Sequence, residues 1–184
     1  MGESPGMDAD SRQQPHWYAI QTRSRYEKIV RDQLAAKSIT HLLPLWRKRS
    51  IWKDRVKYVE VPLFSSYLFG YFALQERVTV LETLGVARIV GVNGTAVPVP
   101  EEQIAAVRMM VEHRLSYNPH PYLVGGMRVQ ITRGVLMGAE GTLIAKKGRH
   151  RLVISIDLIQ QAIAVDIDSA DVEPLARRPY ICGG

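Results

Sequence analysis

The chain has 184 residues, 46% of them hydrophobic and 23% charged, which is room for one ordinary domain, or one domain with a small companion, around a packed core. Its single cysteine, Cys182, excludes an intrachain disulfide and a thiolate metal cage and favours a reducing, cytoplasmic setting. The net charge of +6 is unevenly spread, with 15 Lys/Arg against 9 acids in residues 16–124 and 8 against 6 in residues 125–184; a basic first block suits a polyanion, or is simply a solvated surface.

Residues 1–15 are polar, punctuated by Gly and Pro, and read as a disordered leader without the basic-then-apolar pattern of a secretory signal. Residues 17–22 (WYAIQT) have the aromatic and β-branched bias of a strand. Ser24 followed by Glu27 is a capping box opening a helix to about Lys37, with Tyr26, Ile29, Val30 and Leu34 at helical spacing and Glu27–Arg31 as an i,i+4 pair. Residues 40–47 read as a second strand. A charged ribbon follows, in which Lys53, Arg55 and Lys57 alternate with Asp54, Val56 and Tyr58, and Pro62 ends it. The next strand, 66–73, is apolar on both sides: alternation puts Tyr67, Phe69 and Tyr71 on one face and Leu68 and Phe72 on the other. Such a strand is either a covered core strand or one that shows an aromatic face to something outside the domain.

A short helix is expected over 75–86, with Gly85 at its C-terminal turn. Residues 87–92 and 95–99 make a hairpin about Asn93-Gly94. Pro100 and two glutamates then open a helix carrying Ile104, Val107, Val111 and Leu115. The first module, 16–116, is thus α+β, an antiparallel sheet with flanking helices. Residues 117–125 (YNPHPYLVG) read as a proline linker. Beyond it, 126–176 holds only short strands separated by Gly134, Gly138, Gly141 and the Lys146-Lys147-Gly148 turn. Four or five strands in so few residues suggest a small barrel. Residues 177–184 are a tail. His16, His41, His113, His120 and His150 lack metal-ligand spacing, and no phosphate loop or paired acid and base appears, so neither an enzyme nor a cofactor or metal site is expected.

Three features together resemble the NusG transcription elongation factor family: Trp17-Tyr18-Ala19 before a helix, Pro62-Leu63-Phe64 leading into Tyr67-Leu68-Phe69, and a proline linker into Gly126-x-x-Val129-x-Ile131-x-x-Gly134. The resemblance covers about residues 16–176 and casts the second module as an SH3-like KOW barrel with its motif glycines at 134, 138 and 141. The Trp52-x-Asp54-Arg55 ribbon is more similar to the specialised paralogues, RfaH-like and capsule-locus antiterminators. Ser65-Ser66 stand where the family often has Pro-Gly or Pro-Asn, and Gly134-Val135 where it usually has Gly-Pro.

The resemblance implies a non-enzymatic elongation or antitermination factor that docks an apolar patch on RNA polymerase; nothing in the sequence suggests a coiled coil or an obligate dimer, so a monomer is expected. By position the patch is Phe64, Tyr67 and Phe69. Upstream or non-template DNA near the transcription bubble would run past Arg23 and Arg25, with Arg47, Lys48, Arg49, Lys53 and Arg55 adding a phosphate-facing stripe. Leu136 and Met137 would meet the termination factor Rho or a ribosomal protein; they would equally serve to plug the barrel end. The β-branched strands of 126–167 argue against a helical form of the second module. The competing reading is a stand-alone RNA-binding protein of ribosomal KOW type, contacting RNA through residues 146–151.

Overall fold

The computed structural model describes residues 13–52, 55–113, 117–120, 126–146, 149–168 and 171–175; most of the expected leader, Lys53, residues 121–125 of the expected linker, Lys147-Gly148 and the tail lie outside them. The chain divides into two compact units, Met1–Glu101 and Glu102–Gly184.

The first unit is built on a four-stranded antiparallel sheet in the order β2-β5-β1-β6, from β1 (His16–Thr22), β2 (Thr40–Leu42), β5 (Tyr67–Phe72) and β6 (Val86–Ile89). Between β1 and β2 runs helix α1 (Glu27–Ala36), whose Val30 and Leu34 are fully buried. They pack with Tyr18 and Ile20 of β1, Leu68 and Phe72 of β5, and Ile39, Leu43 and Val80 in one apolar cluster. Gly70 lies opposite Tyr18 in the register, and a Cβ there would stand 2.8 Å from Ile20 Cδ1, closer than packed carbons approach. Glycine at that position therefore lets the Ile20 and Phe72 side chains close over β5.

The expected helix over 75–86 is shorter, a 3₁₀ turn at Leu74–Glu76 running into α2 (Arg77–Leu81). Gly85 keeps its turn role at φ +98, and its carbonyl accepts the Arg23 N–H at 2.8 Å. Asn93 and Gly94 both take positive φ, the geometry of the anticipated tight hairpin, here joining β7 (Gly91–Val92) to β8 (Thr95–Ala96). Two strands stand apart from the main sheet: β3 (Leu45–Trp52) and β4 (Arg55–Pro62) pair only with each other as an antiparallel ribbon.

The unit boundary falls at the start of α3 (Glu101–Glu112), so this helix groups with the second unit rather than the first. Its buried positions are Ile104, Ala106, Val107 and Met110. Gln103 and Asp157 make two hydrogen bonds, the Gln103 amide donating to the carboxylate at 2.9 Å and the Asp157 N–H donating back at 3.3 Å.

The second unit holds a six-stranded antiparallel sheet in the order β14-β10-β11-β12-β13-β9: β9 (Tyr117–His120), β10 (Met127–Ile131), β11 (Glu140–Lys146), β12 (Arg149–Ile156), β13 (Gln161–Ile167) and β14 (Val172–Pro174). The first residues of the expected linker are thus a strand. β9 occupies a sheet edge, where Pro119 removes no ladder donor that an inner strand needs. Both faces of β12 and β13 are buried, Leu152, Ile154, Ile163 and Val165 on one side and Val153, Ala162 and Ala164, with Ile144, on the other.

Burial raises the phenol of Tyr18 above its ordinary pKa of 10.0. The native state thus holds this proton more tightly than the unfolded chain, and the stability it contributes is intact below pH 10.0 and is lost as pH climbs from there through the raised native value. Urea titrations across that range should show a steeper loss of stability in the native chain than in Tyr18→Phe. Parallel curves would contradict the assignment.

Candidate docking and nucleic-acid interface

The side of β5 away from α1 carries Tyr67, Phe69 and Tyr71. Phe69 is 0% exposed and Phe64 1%, so the expectation of an uncovered row fails at two of its three members. The reason is local. Phe64 sits in the turn before β5, where its carbonyl accepts the Tyr67 N–H at 3.1 Å, and its ring meets Phe69 edge to face, centroids 5.9 Å apart at 87°. Two rings that bury each other in the favoured quadrupolar geometry gain more than two left in water. What remains at the surface is the flank of the row: Tyr67 is half-buried, and Tyr71 is 37% exposed, its ring 5.3 Å from that of Trp17. Tyr71 shares the parity of Tyr67 and Phe69, which was the signal in the sequence that marks it as a surface member of this row.

The turn that launches β5 is held from both sides. Ser66 adopts φ 65, and its carbonyl accepts the Thr22 N–H at 2.9 Å while its own N–H donates to Glu27 Oε1 at 2.8 Å. Glu27 is buried, and its carboxylate does not form the capping box with Ser24. The helix instead begins at Glu27 behind Tyr26, with no side-chain cap. A half-buried main-chain donor at a positive-φ turn is served by solvent less well than a helix end, so the carboxylate serves the turn. Nor does Glu27 pair with Arg31, which reaches its neighbour Asp32 at 2.7 Å.

Arg23 and Arg25 are exposed in the β1–α1 loop, as expected, Arg25 at φ 67. The ribbon residues do not form one stripe. Cross-strand partners share a face, so the pairs Lys48–Val59 and Ser50–Lys57 put Lys48, Arg55 and Lys57 on one side, and the pair Arg47–Glu60 puts Arg47 on the other. Arg49 pairs with Tyr58 in the backbone register, and Lys53 lies outside the described residues. The ribbon is tied to the body by Lys28 of α1, whose ammonium donates to the Glu60 carbonyl at 2.9 Å.

In the second unit, the loop between β10 and β11 turns at Gly134 and Gly138, both at positive φ. It sends Leu136 inward, buried, and Met137 outward at 64% exposure beside exposed Val135. Of the two anticipated contact residues, Leu136 is therefore buried and Met137 reaches the surface. Within residues 146–151, Arg151 is mostly buried and lies 2.9 Å from Asp166 across β12–β13, off the line of a hydrogen bond from Nε, which commits its charge internally. Among the described residues no group of three His, Cys, Asp or Glu is placed to hold a metal, and no helix is long and apolar enough to cross a membrane.

The family model for transcription termination factor NusG matches residues 15–108, from β1 through most of α3. The chain belongs to the NusG family. A search of the curated proteins gives no match. Among solved structures, that describing the domain interaction in Thermotoga maritima NusG aligns at 18% identity over 89% of this chain and 98% of the other, with a TM-score of 0.52; this is a likeness of fold. The MjSpt4:Spt5 complex in conformation B aligns at 13% identity over 88% and 97%, with a TM-score of 0.26. In this NusG-family chain the matched region contains the β5 aromatic side, the Glu27–Ser66 turn and the whole ribbon. Family proteins of this kind are transcription factors rather than enzymes.

Glu27→Ala leaves the half-buried Ser66 N–H without its acceptor, at a cost of about 1 kcal/mol. A lower urea midpoint with an unchanged m-value should report it, Glu27→Gln losing less because its amide oxygen still accepts. Equal stability of Glu27→Ala and the native chain would show that the turn does not depend on the carboxylate.

Proposed function

We propose that this chain is a cytoplasmic transcription elongation and antitermination factor that docks on RNA polymerase through the aromatic side of β5 and suppresses pausing or termination. The observation that carries the reading is the arrangement of that side: Tyr71 and half-buried Tyr67 stand at the surface of an inner strand, backed by the buried Phe64–Phe69 pair, in a chain of the NusG family. Phe64 and Phe69 act as backing that fixes the surface rings, and Tyr67 and Tyr71 make the contact. A rigid aromatic surface loses little conformational freedom on binding.

Around that contact, Arg23 and Arg25 in their exposed loop and the cations of the ribbon face upstream or non-template DNA near the bubble, holding phosphates without reading bases. The second unit acts as a KOW module that recruits a second protein, Rho or a ribosomal protein, through exposed Val135 and Met137. The ribbon's Trp52-x-Asp54-Arg55 sequence fits a specialised paralogue rather than the general factor. The protein acts as a monomer and uses no cofactor.

Truncating an aromatic anchor at an interface core costs about 2 kcal/mol or more. Tyr67→Ala combined with Tyr71→Ala should therefore weaken binding to core RNA polymerase by about thirtyfold or more in a titrated pull-down, with an unchanged circular dichroism spectrum. Tyr71→Phe should bind as the native chain does. Undiminished binding by the double variant removes the docking surface from the proposal.

A further inference from the structure

The side of the four-stranded sheet that carries the β5 rings holds one charge. Cross-strand partners share a face, so Gln21 of β1 and Arg88 of β6 lie with Tyr67 in a single row across the sheet. Among the described residues, no other strand position on that side is a Lys, Arg, Asp or Glu. Arg88 is exposed and Gln21 half-buried. The guanidinium Nε donates to Gln21 Oε1 at 2.7 Å, which ties it to the strand beside β5.

That bond decides what the row asks for. The acceptor of the pair, Gln21 Oε1, is engaged, and the groups left free are donors: the two Nη nitrogens of Arg88 and the Gln21 amide N–H groups. Arg88 takes part in none of the ion pairs among the described residues. A stable protein contact covers about 800 Å² of each partner, and Arg88 stands two strand spacings, about 10 Å, from Tyr67. A protein seated on the β5 tyrosines therefore covers the guanidinium too. A cation covered without an anion destabilises the contact, so the seated protein must bring a negative acceptor. A phosphate chain is held by a run of cations, whereas a lone cation among aromatic and apolar groups suits a single Asp or Glu.

We infer that Arg88, held by Gln21, takes a carboxylate of the protein docked on the β5 tyrosines, and that this pair fixes the orientation in which that protein seats. The inference rests on the docking reading of the β5 side given above, and adds to it the charge the partner must present and the residue that recognises it. Tyrosine rings supply contact area but little polarity along the row. One fixed charge at its β6 end supplies that polarity, because a reversed partner leaves the guanidinium against apolar groups. Gln21 is a positioning residue, which holds the fork in place before the partner arrives.

The test is titration of the full chain with core RNA polymerase free of nucleic acid, at low and high salt. Arg88→Gln should bind about tenfold more weakly, with a shallower salt dependence than the native chain. Its urea midpoint should not move, since the side chain is exposed. Arg88→Glu should bind more weakly still, through repulsion. Gln21→Ala should lose roughly threefold and keep the native salt dependence, because the charge remains. In Arg88→Lys, a carbodiimide, which joins an amine to a carboxylate in contact, should link position 88 to an acidic residue of the polymerase. Native affinity in Arg88→Gln, alongside weakened binding by the Tyr67→Ala, Tyr71→Ala double variant, would overturn the carboxylate contact and leave the docking surface standing. A loss in Arg88→Gln that appears only once nucleic acid is added would overturn it as well, by assigning Arg88 to a phosphate. Undiminished binding by both variants overturns the docking surface and this contact together.

Discussion

Strand β5 has no spare face. On one side Leu68 and Phe72 are buried with Tyr18, Ile20 and the α1 residues Val30 and Leu34, and on the other Phe69 is buried with the Phe64 ring edge to face against it. An inner strand covered on both sides cannot shift by one residue without turning its buried set outward. The backbone that carries Tyr67 and Tyr71 is therefore fixed in register by everything around it. The turn that feeds it is fixed as well, with Ser66 held between Thr22 and Glu27. The surface rings consequently stand at set positions before any partner arrives, which is what a docking surface needs in order to lose little entropy on binding.

The ribbon works on the opposite principle. It hangs off the same unit through β3 and β4, paired only with each other, and neither side is covered along β4. Its base packs through Leu45 against the core on the α1 side and is tied by the Lys28 ammonium on the Glu60 carbonyl, while Arg47 over Tyr58 braces the ribbon internally. Exposed Val56, Tyr58 and Val59 alternate along it with cations. The β5 side, whose exposed members are tyrosines over buried phenylalanines, suits an apolar protein contact. The two surfaces thus differ in chemistry.

Much of this was legible from residue order. The period of Val30 and Leu34, the Asn93-Gly94 turn, the ribbon and the parity of Tyr67, Phe69 and Tyr71 all follow from local rules, and each is found in the fold. What residue order did not settle was which of several permitted partners a group takes. Ser24 and Glu27 have capping-box spacing, yet the carboxylate goes to a main-chain donor 39 positions away, which no local pattern encodes. Parity places Phe69 on the side away from α1 but cannot say that Phe64 folds over it. Leu136 and Met137 are adjacent and both apolar, and only the turn geometry at Gly134 and Gly138 decides that the first is buried and the second is exposed. The basic stripe likewise dissolves once cross-strand pairing is known, because Arg47 and Lys48 are neighbours in sequence and opposites in space.

The claim on which this account most depends is that the flank of β5, and not the second unit, meets the transcription machinery. Hydroxyl-radical footprinting of the full chain with core RNA polymerase, in the absence of nucleic acid, reads it directly, since tyrosine rings report their own solvent contact. The account predicts that Tyr71 and Tyr67 lose reactivity on adding polymerase while Tyr58 on the ribbon keeps it. Unchanged reactivity at both β5 tyrosines, with protection confined to residues 126–146, would contradict it.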